Sequence, residues 1–181
     1  MTQLTLQFVD PRRDPWRKLE GEDGPISHPS PAPHRLLTLA QWHAVRDTWP
    51  ADVPAGVVFP NDVDIETLVD DLPRLALVEL QFPKWSDGRA YSQAHLLRAR
   101  WRYTGIVRAS AVLVDMLPML ARTGFSEVLL RADQDPAAAE RALQLFPAYY
   151  QGDVKDSTPW FLRRLHAGAA GSTAATVRQA A

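Results

Sequence analysis

From residue 56 onward the chain repeats one unit, a short apolar run followed by a helix-length stretch. The apolar runs are GVVFP (56–60), LALVELQF (75–82), IVRAS (106–110) and EVLLRA (127–132). Between them lie IETLVDDL, a stretch over 91–102, and VLVDMLPMLARTG, and the last run leads into AAAERALQLF. Strands that alternate with helices at this spacing need crossover connections, so the sheet is parallel. The expected fold is a single α/β domain of βα units with a mainly parallel, curved sheet, a partial (β/α) barrel in its most curled form.

The helix boundaries carry their own signals. Thr38 caps a helix through LAQWHAVRDTW, with Leu39, Trp42, Val45 and Trp49 as its apolar stripe. Asp62 or Asp64 caps the next, and Gly124 closes the helix in which Pro118 makes a kink or marks a second start. Asp135-Pro136 opens the last one. Upstream, QLTLQFV (3–9) alternates as a short strand, and the Pro-rich stretch 10–34 reads as a surface loop. The expected division is an N-terminal strand and loop over 1–35, an α/β domain over 36–165, and a disordered tail over 166–181.

Composition excludes several function classes. A formal net charge of −1 does not suit a nucleic-acid or anionic-membrane binder. No run approaches 18 apolar residues, and no basic segment precedes an apolar one at the N-terminus. A cytoplasmic protein is expected, with no membrane partner and no nucleic-acid partner. With no cysteine, disulfides, thiolate metal sites and a Cys nucleophile are excluded. The five histidines have no zinc-like spacing, and GxGxxG and GxxxxGK[ST] are absent, so no cofactor or metal is expected. Ser92 and Ser110 lack a GxSxG elbow.

Polar residues break the apolar strands at their C-terminal ends, where parallel α/β folds bind ligands. Period-two alternation sets Val78, Leu80 and Phe82 on one face and Leu77, Glu79 and Gln81 on the other. Arg108 and Ser110 oppose Val107 and Ala109, and Arg131 falls with Asp133. A curled sheet would gather Glu79, Gln81, Arg108 and Arg131 on its concave side. They would form either a site or a satisfied internal salt-bridge set.

The second candidate is FPKWSDGRAYSQAHLLRARWRYTG, residues 82–105. Asp87-Gly88 makes a turn, and Arg89 falls in the first turn of a helix beside free amides. An anion would satisfy Arg89, the amides and Ser92 together. Otherwise Arg89 pairs with Asp87 or Glu79. Further on, Arg98 and Arg102 are spaced i, i+4 with His95 beside them, facing water, Asp115 or a protein surface.

These residues also carry a family resemblance. The run F-P-x-W-x-D-G-R-x-Y-S, then L-L-R and Y-x-G-x-V-R-A, then VLVDMLPMLARTGF and AYYQ, resembles the bacterial family catalogued as domain of unknown function 934, over roughly residues 36–151. Its members often bear the bare label oxidoreductase and are encoded beside the haemoprotein subunit of assimilatory sulfite reductase. The resemblance implies an accessory role in sulfite reduction, with that subunit as partner. It marks Asp87, Gly88, Arg89, Tyr91, Ser92, Arg98, Arg108 and Asp115 as binding an anion or the partner. The chain departs from the family pattern at Met116, where Gln is usual, and at Thr123, where Cys is usual. Two other readings stand beside it. One is an enzyme of sulfur metabolism on a small oxyanion, with Glu79 or Asp87 as base and Arg89 with Arg108 as clamp. The other is a structural interaction protein with exposed aromatics at Trp85, Trp101 and Trp160.

Overall fold

The computed structural model describes residues 5–21, 24–145, 149–154, 157–159 and 161–162. Seven strands form one sheet in which every pairing is parallel. They are β1 (Gln7–Phe8), β2 (Arg17–Lys18), β5 (Arg35–Thr38), β6 (Ala55–Phe59), β7 (Leu75–Leu80), β8 (Ile106–Val112) and β9 (Glu127–Leu130). Their order across the sheet is β1-β9-β8-β7-β6-β5-β2. A separate antiparallel pair joins β3 (Glu20–Gly21) to β4 (Gly24–Pro25). The sheet curls into a half-barrel, as the βα rhythm predicts.

Helices α1 (Leu39–Val45), α2 (Arg89–Ala99), α3 (Leu117–Thr123) and α4 (Pro136–Gln144) cover the outer face. That face supplies the main core, with Leu37, Val57, Val78, Leu80, Val107, Ala109 and Val128 packed against Trp42, Leu97, Leu117 and Leu120. The caps follow the sequence signals. Thr38 and Gln41 make a reciprocal capping box, and Asp135 accepts from the amides of Ala137 and Ala138. Asp64, rather than Asp62, caps Ile65–Arg74, which is a 3₁₀ helix instead of an α-helix. Pro118 lies in the first turn of α3 and marks a second helix start after the Val114–Met116 turn, one of the two roles open to it from sequence. Gly124 ends α3 at φ 105°, and a Cβ there would lie 2.5 Å from Arg98 Cγ.

Two departures from the sequence reading matter for function. First, α2 stops at Ala99, short of the expected 102, because Arg102 takes a left-handed φ of 52° and Tyr103 N–H turns back to Leu97 O. Arg98 and Arg102 therefore do not share a helical face. Second, the Pro-rich N-terminal stretch is not simply a surface loop. Strands β1 and β2 lie at opposite edges of the sheet, so residues 9–16 strap across its inner face. The strap buries Asp14 and Trp16 there. Trp16 packs on Leu36, Val58 and Leu77, and Gly56 makes room for it, since a Cβ there would sit 2.8 Å from the indole. The expected tail, residues 166–181, lies outside the described residues, as does Trp160. No helix among the described residues is long and apolar enough to cross a membrane.

Candidate functional site

The inner face carries a row of charge across three strands. Glu79, Arg108 and Glu127 are register neighbours on β7, β8 and β9. Their strand neighbours Val78, Leu80, Val107, Ala109 and Val128 face the outer core, as alternation requires. Arg108 is almost completely buried. Its guanidinium forks onto Asp14, with Nη1–Oδ2 2.8 Å and Nη2–Oδ1 3.1 Å. It also donates to Glu127 Oε2 from Nε at 3.0 Å and from Nη2 at 2.6 Å. This bidentate, charge-assisted geometry satisfies a cation that burial would otherwise penalise heavily. Arg108 is thus committed to an internal ion-pair set, the structural one of the two outcomes open from sequence.

Glu79, equally buried, pairs instead with Lys18 Nζ at 2.9 Å. Lys18 belongs to β2, which the sequence reading missed because β2 is two residues long in a Pro-rich stretch. The pair opens onto a cleft of about 260 Å³ lined by Lys18, Glu79, Leu80, Gln81, Phe82, Pro83 and Ser110. The cleft lies at the C-terminal ends of β7 and β8, where βα folds place their ligands. A bulge shapes its far wall. Ala109 faces Val128 and Val112 faces Leu130, so Ser110 and Ala111 together oppose Leu129. Ala111 takes φ 56°, a left-handed conformation that costs a non-glycine residue about 1–3 kcal/mol. The bulge ends the ladder with Ser110 on the cleft. Only the Glu79 and Gln81 part of the expected concave cluster lines this cleft.

Arg131 pairs with its own loop's Asp133 at 2.6 Å, both exposed. That guanidinium holds the Asp133 carboxyl down at about 2. The group stabilises the fold above its ordinary value of 3.8, and the contribution fades as pH falls through about 2. A carboxyl titration by NMR should place the Asp133 midpoint near 2. Arg131→Ala should return it toward 3.8 with little change in stability, as for other exposed pairs.

At the Asp-Gly-Arg turn Arg89 takes Asp87 as its partner, one of the pairings open to it from sequence. Gly88 sits at φ −82°, without using its left-handed freedom. Arg89 clasps Asp87 through Nε at 3.0 Å and Nη2 at 2.7 Å, and its backbone N–H donates to the same carboxylate at 3.2 Å. These bonds hold the Asp87 carboxyl far below the usual range. Asp87 N–H also bonds Lys84 O at 3.0 Å, so the loop is braced on both sides of Trp85. Trp85 itself is 71% exposed.

The remaining candidates scatter. Tyr91 packs edge-on to Phe82 at 5.0 Å, and burial pushes its phenol up. Ser92 lies beside Tyr91 and His95 on the opposite, outer side of α2 from the sheet's charge row. Arg98 turns inward to donate to the carbonyls of Gly124 (2.9 Å), Gly105 (2.8 Å) and Tyr103, and burial lowers its pKa. It pins the N-terminal end of β8 to the end of α3. Asp115 is exposed in the Val114–Met116 turn. Arg89, Arg98 and Arg108 therefore serve three separate places. Trp101 is half-buried beneath Arg100, at 5.4 Å from its ring.

A family profile described as a bacterial protein of unknown function (DUF934) matches residues 56–161. The chain belongs to this family. The matched region holds β6 from Gly56 onward, β7–β9, the Trp85 loop, Glu79, Arg108 and Ser110. The strap that brings Asp14, Trp16 and Lys18 lies outside it. No curated protein and no solved structure matches the chain.

Proposed function

We propose that this DUF934 member is a cytoplasmic accessory protein of assimilatory sulfite reduction that docks on the haemoprotein subunit of the reductase. The family resemblance supplies the partner. The observation that carries the docking mode is Trp85, an indole 71% exposed on a loop whose two flanks are tied down. A large aromatic with few rotatable bonds, carried on a braced loop, loses little entropy when a partner buries it, the economy of interface hot spots. The Asp87–Arg89 clasp is then the brace of a docking loop. An arginine clamp for a small oxyanion would have to take Arg89 from Asp87 and, at a desolvation cost, the buried Arg108 from two carboxylates. The interaction reading needs no such rearrangement.

Interferometry of the purified protein against the purified haemoprotein subunit tests the reading. Association is expected, and Trp85→Ala should weaken it about 30-fold or more, a hot-spot loss. Its melting temperature should stay near wild type, because the side chain is exposed. Absence of binding, or equal binding by Trp85→Ala, would sink the proposal.

A further inference from the structure

In the cleft at the C-terminal ends of β7 and β8 a buried carboxylate and a half-exposed ammonium share one opening. From it we infer that the protein binds a small zwitterion of the α-amino acid class between Lys18 and Glu79. The inference is independent of the docking reading, since β2 and the C-terminal ends of β7 and β8, rather than the Trp85 indole, carry its charged and hydroxyl groups.

Four observations converge. Glu79 is buried and fixed in the sheet, and only its Oε1 has a partner among the described residues, Lys18 Nζ at 2.9 Å. Lys18 has a side chain 51% exposed, so its ammonium can swing within the opening. Ser110 adds a hydroxyl, delivered by a bulge whose Ala111 sits at φ 56°. Strain of that kind persists where geometry is needed. Leu80, Phe82 and Pro83 give the cleft an apolar wall.

Charge balance selects the ligand. Arg108 is fully occupied by Asp14 and Glu127 and does not line the cleft, so it offers no extra positive charge there. A lone carboxylate would draw Lys18 away and leave Glu79 buried without a cation. A lone amine would displace Lys18 from its only carboxylate among the described residues. Each exchange costs desolvation with nothing returned. A molecule with both charges satisfies both partners at once. Its ammonium meets Glu79, its carboxylate meets Lys18 and the Ser110 hydroxyl, and its side chain lies on Phe82 and Pro83. A volume of about 260 Å³ suits a ligand of that size.

Calorimetry and thermal melting of the full chain with L-alanine and L-methionine test this, with acetate and methylammonium as one-charge controls at matched ionic strength. The amino acids are expected to bind and to raise the melting temperature in proportion to their saturation. The controls should do neither. Lys18→Met and Glu79→Gln should abolish the shift. Ser110→Ala, which leaves the ion pair intact, should weaken affinity about tenfold while melting cooperatively without ligand. Binding of acetate alone through Lys18 would make this an oxyanion site and overturn the inference. So would methylammonium binding alone, no shift with either amino acid, or a shift that survives all three substitutions.

Discussion

Arg108→Met is expected to destabilise the fold by about 3–5 kcal/mol, the cost of leaving buried carboxylates without their cation. Asp14 and Glu127 would face each other across the vacated guanidinium, with four hydrogen bonds gone. Against a typical domain stability of about 5–15 kcal/mol, that brings the protein close to unfolding at ordinary temperature. Urea unfolding should show the midpoint falling with the slope unchanged. The informative comparison is the triple variant Asp14→Leu, Glu127→Gln, Arg108→Met. Removing the whole set leaves no orphaned charge, so most of the stability should return. If the single variant melts like wild type, Arg108 is not the buried hub described above. If the triple variant is as unstable as the single, the set contributes more than charge balance.

Trp16→Ala should cost a similar amount, about 3–5 kcal/mol, by emptying the inner face of its largest apolar plug. The strap makes this residue more consequential than its sequence context suggests. Among the described residues, backbone bonds from residues 10–16 stay within the strap, as in Asp14 N–H to Asp10 O at 3.0 Å. Ladder pairing resumes only at Val9 on one side and Arg17 on the other. Side chains hold the crossing, Trp16 by packing and Asp14 by its fork on Arg108. The contact with Gly56 gives a second readout. Gly56→Ala places a methyl 2.8 Å from the indole and should destabilise the wild type by about 1–3 kcal/mol. In the Trp16→Ala background the same methyl meets only the flexible end of Leu36, at 3.1 Å, and most of its cost should vanish. Such non-additivity marks direct contact, and additive effects would contradict the packing.

What was legible in the sequence is what depends on local periodicity. The alternation through 75–82 and 106–110 correctly set Glu79, Gln81, Arg108 and Ser110 on one face, because a strand's period of two leaves no freedom. The caps at Thr38, Asp135 and Gly124 were readable for the same reason, each being a bond within a few residues. Pairing of Arg89 with Asp87 was one of two open outcomes, and the structure takes the shorter-range one. Arg98 was misplaced because helix length decides its direction, and the left-handed turn at Arg102 has no signal in an Arg-Tyr pair. Asp14, Trp16 and Lys18 were hidden by distance, Asp14 being 94 residues from its partner Arg108. A lone tryptophan in a Pro-rich stretch was the one available hint, since a linker rarely gains from a buried-class side chain. The Ser110–Ala111 bulge was beyond reach, as nothing in Ala-Ser-Ala-Val announces a positive φ.

The most direct test of the docking account is hydrogen exchange on the protein alone and on its complex with the sulfite reductase haemoprotein subunit. Residues 81–89, the Trp85 loop with its Asp87–Arg89 brace, should gain protection in the complex, and Trp85→Ala should abolish that gain. Protection confined to another surface, or no change on adding the subunit at all, would contradict it.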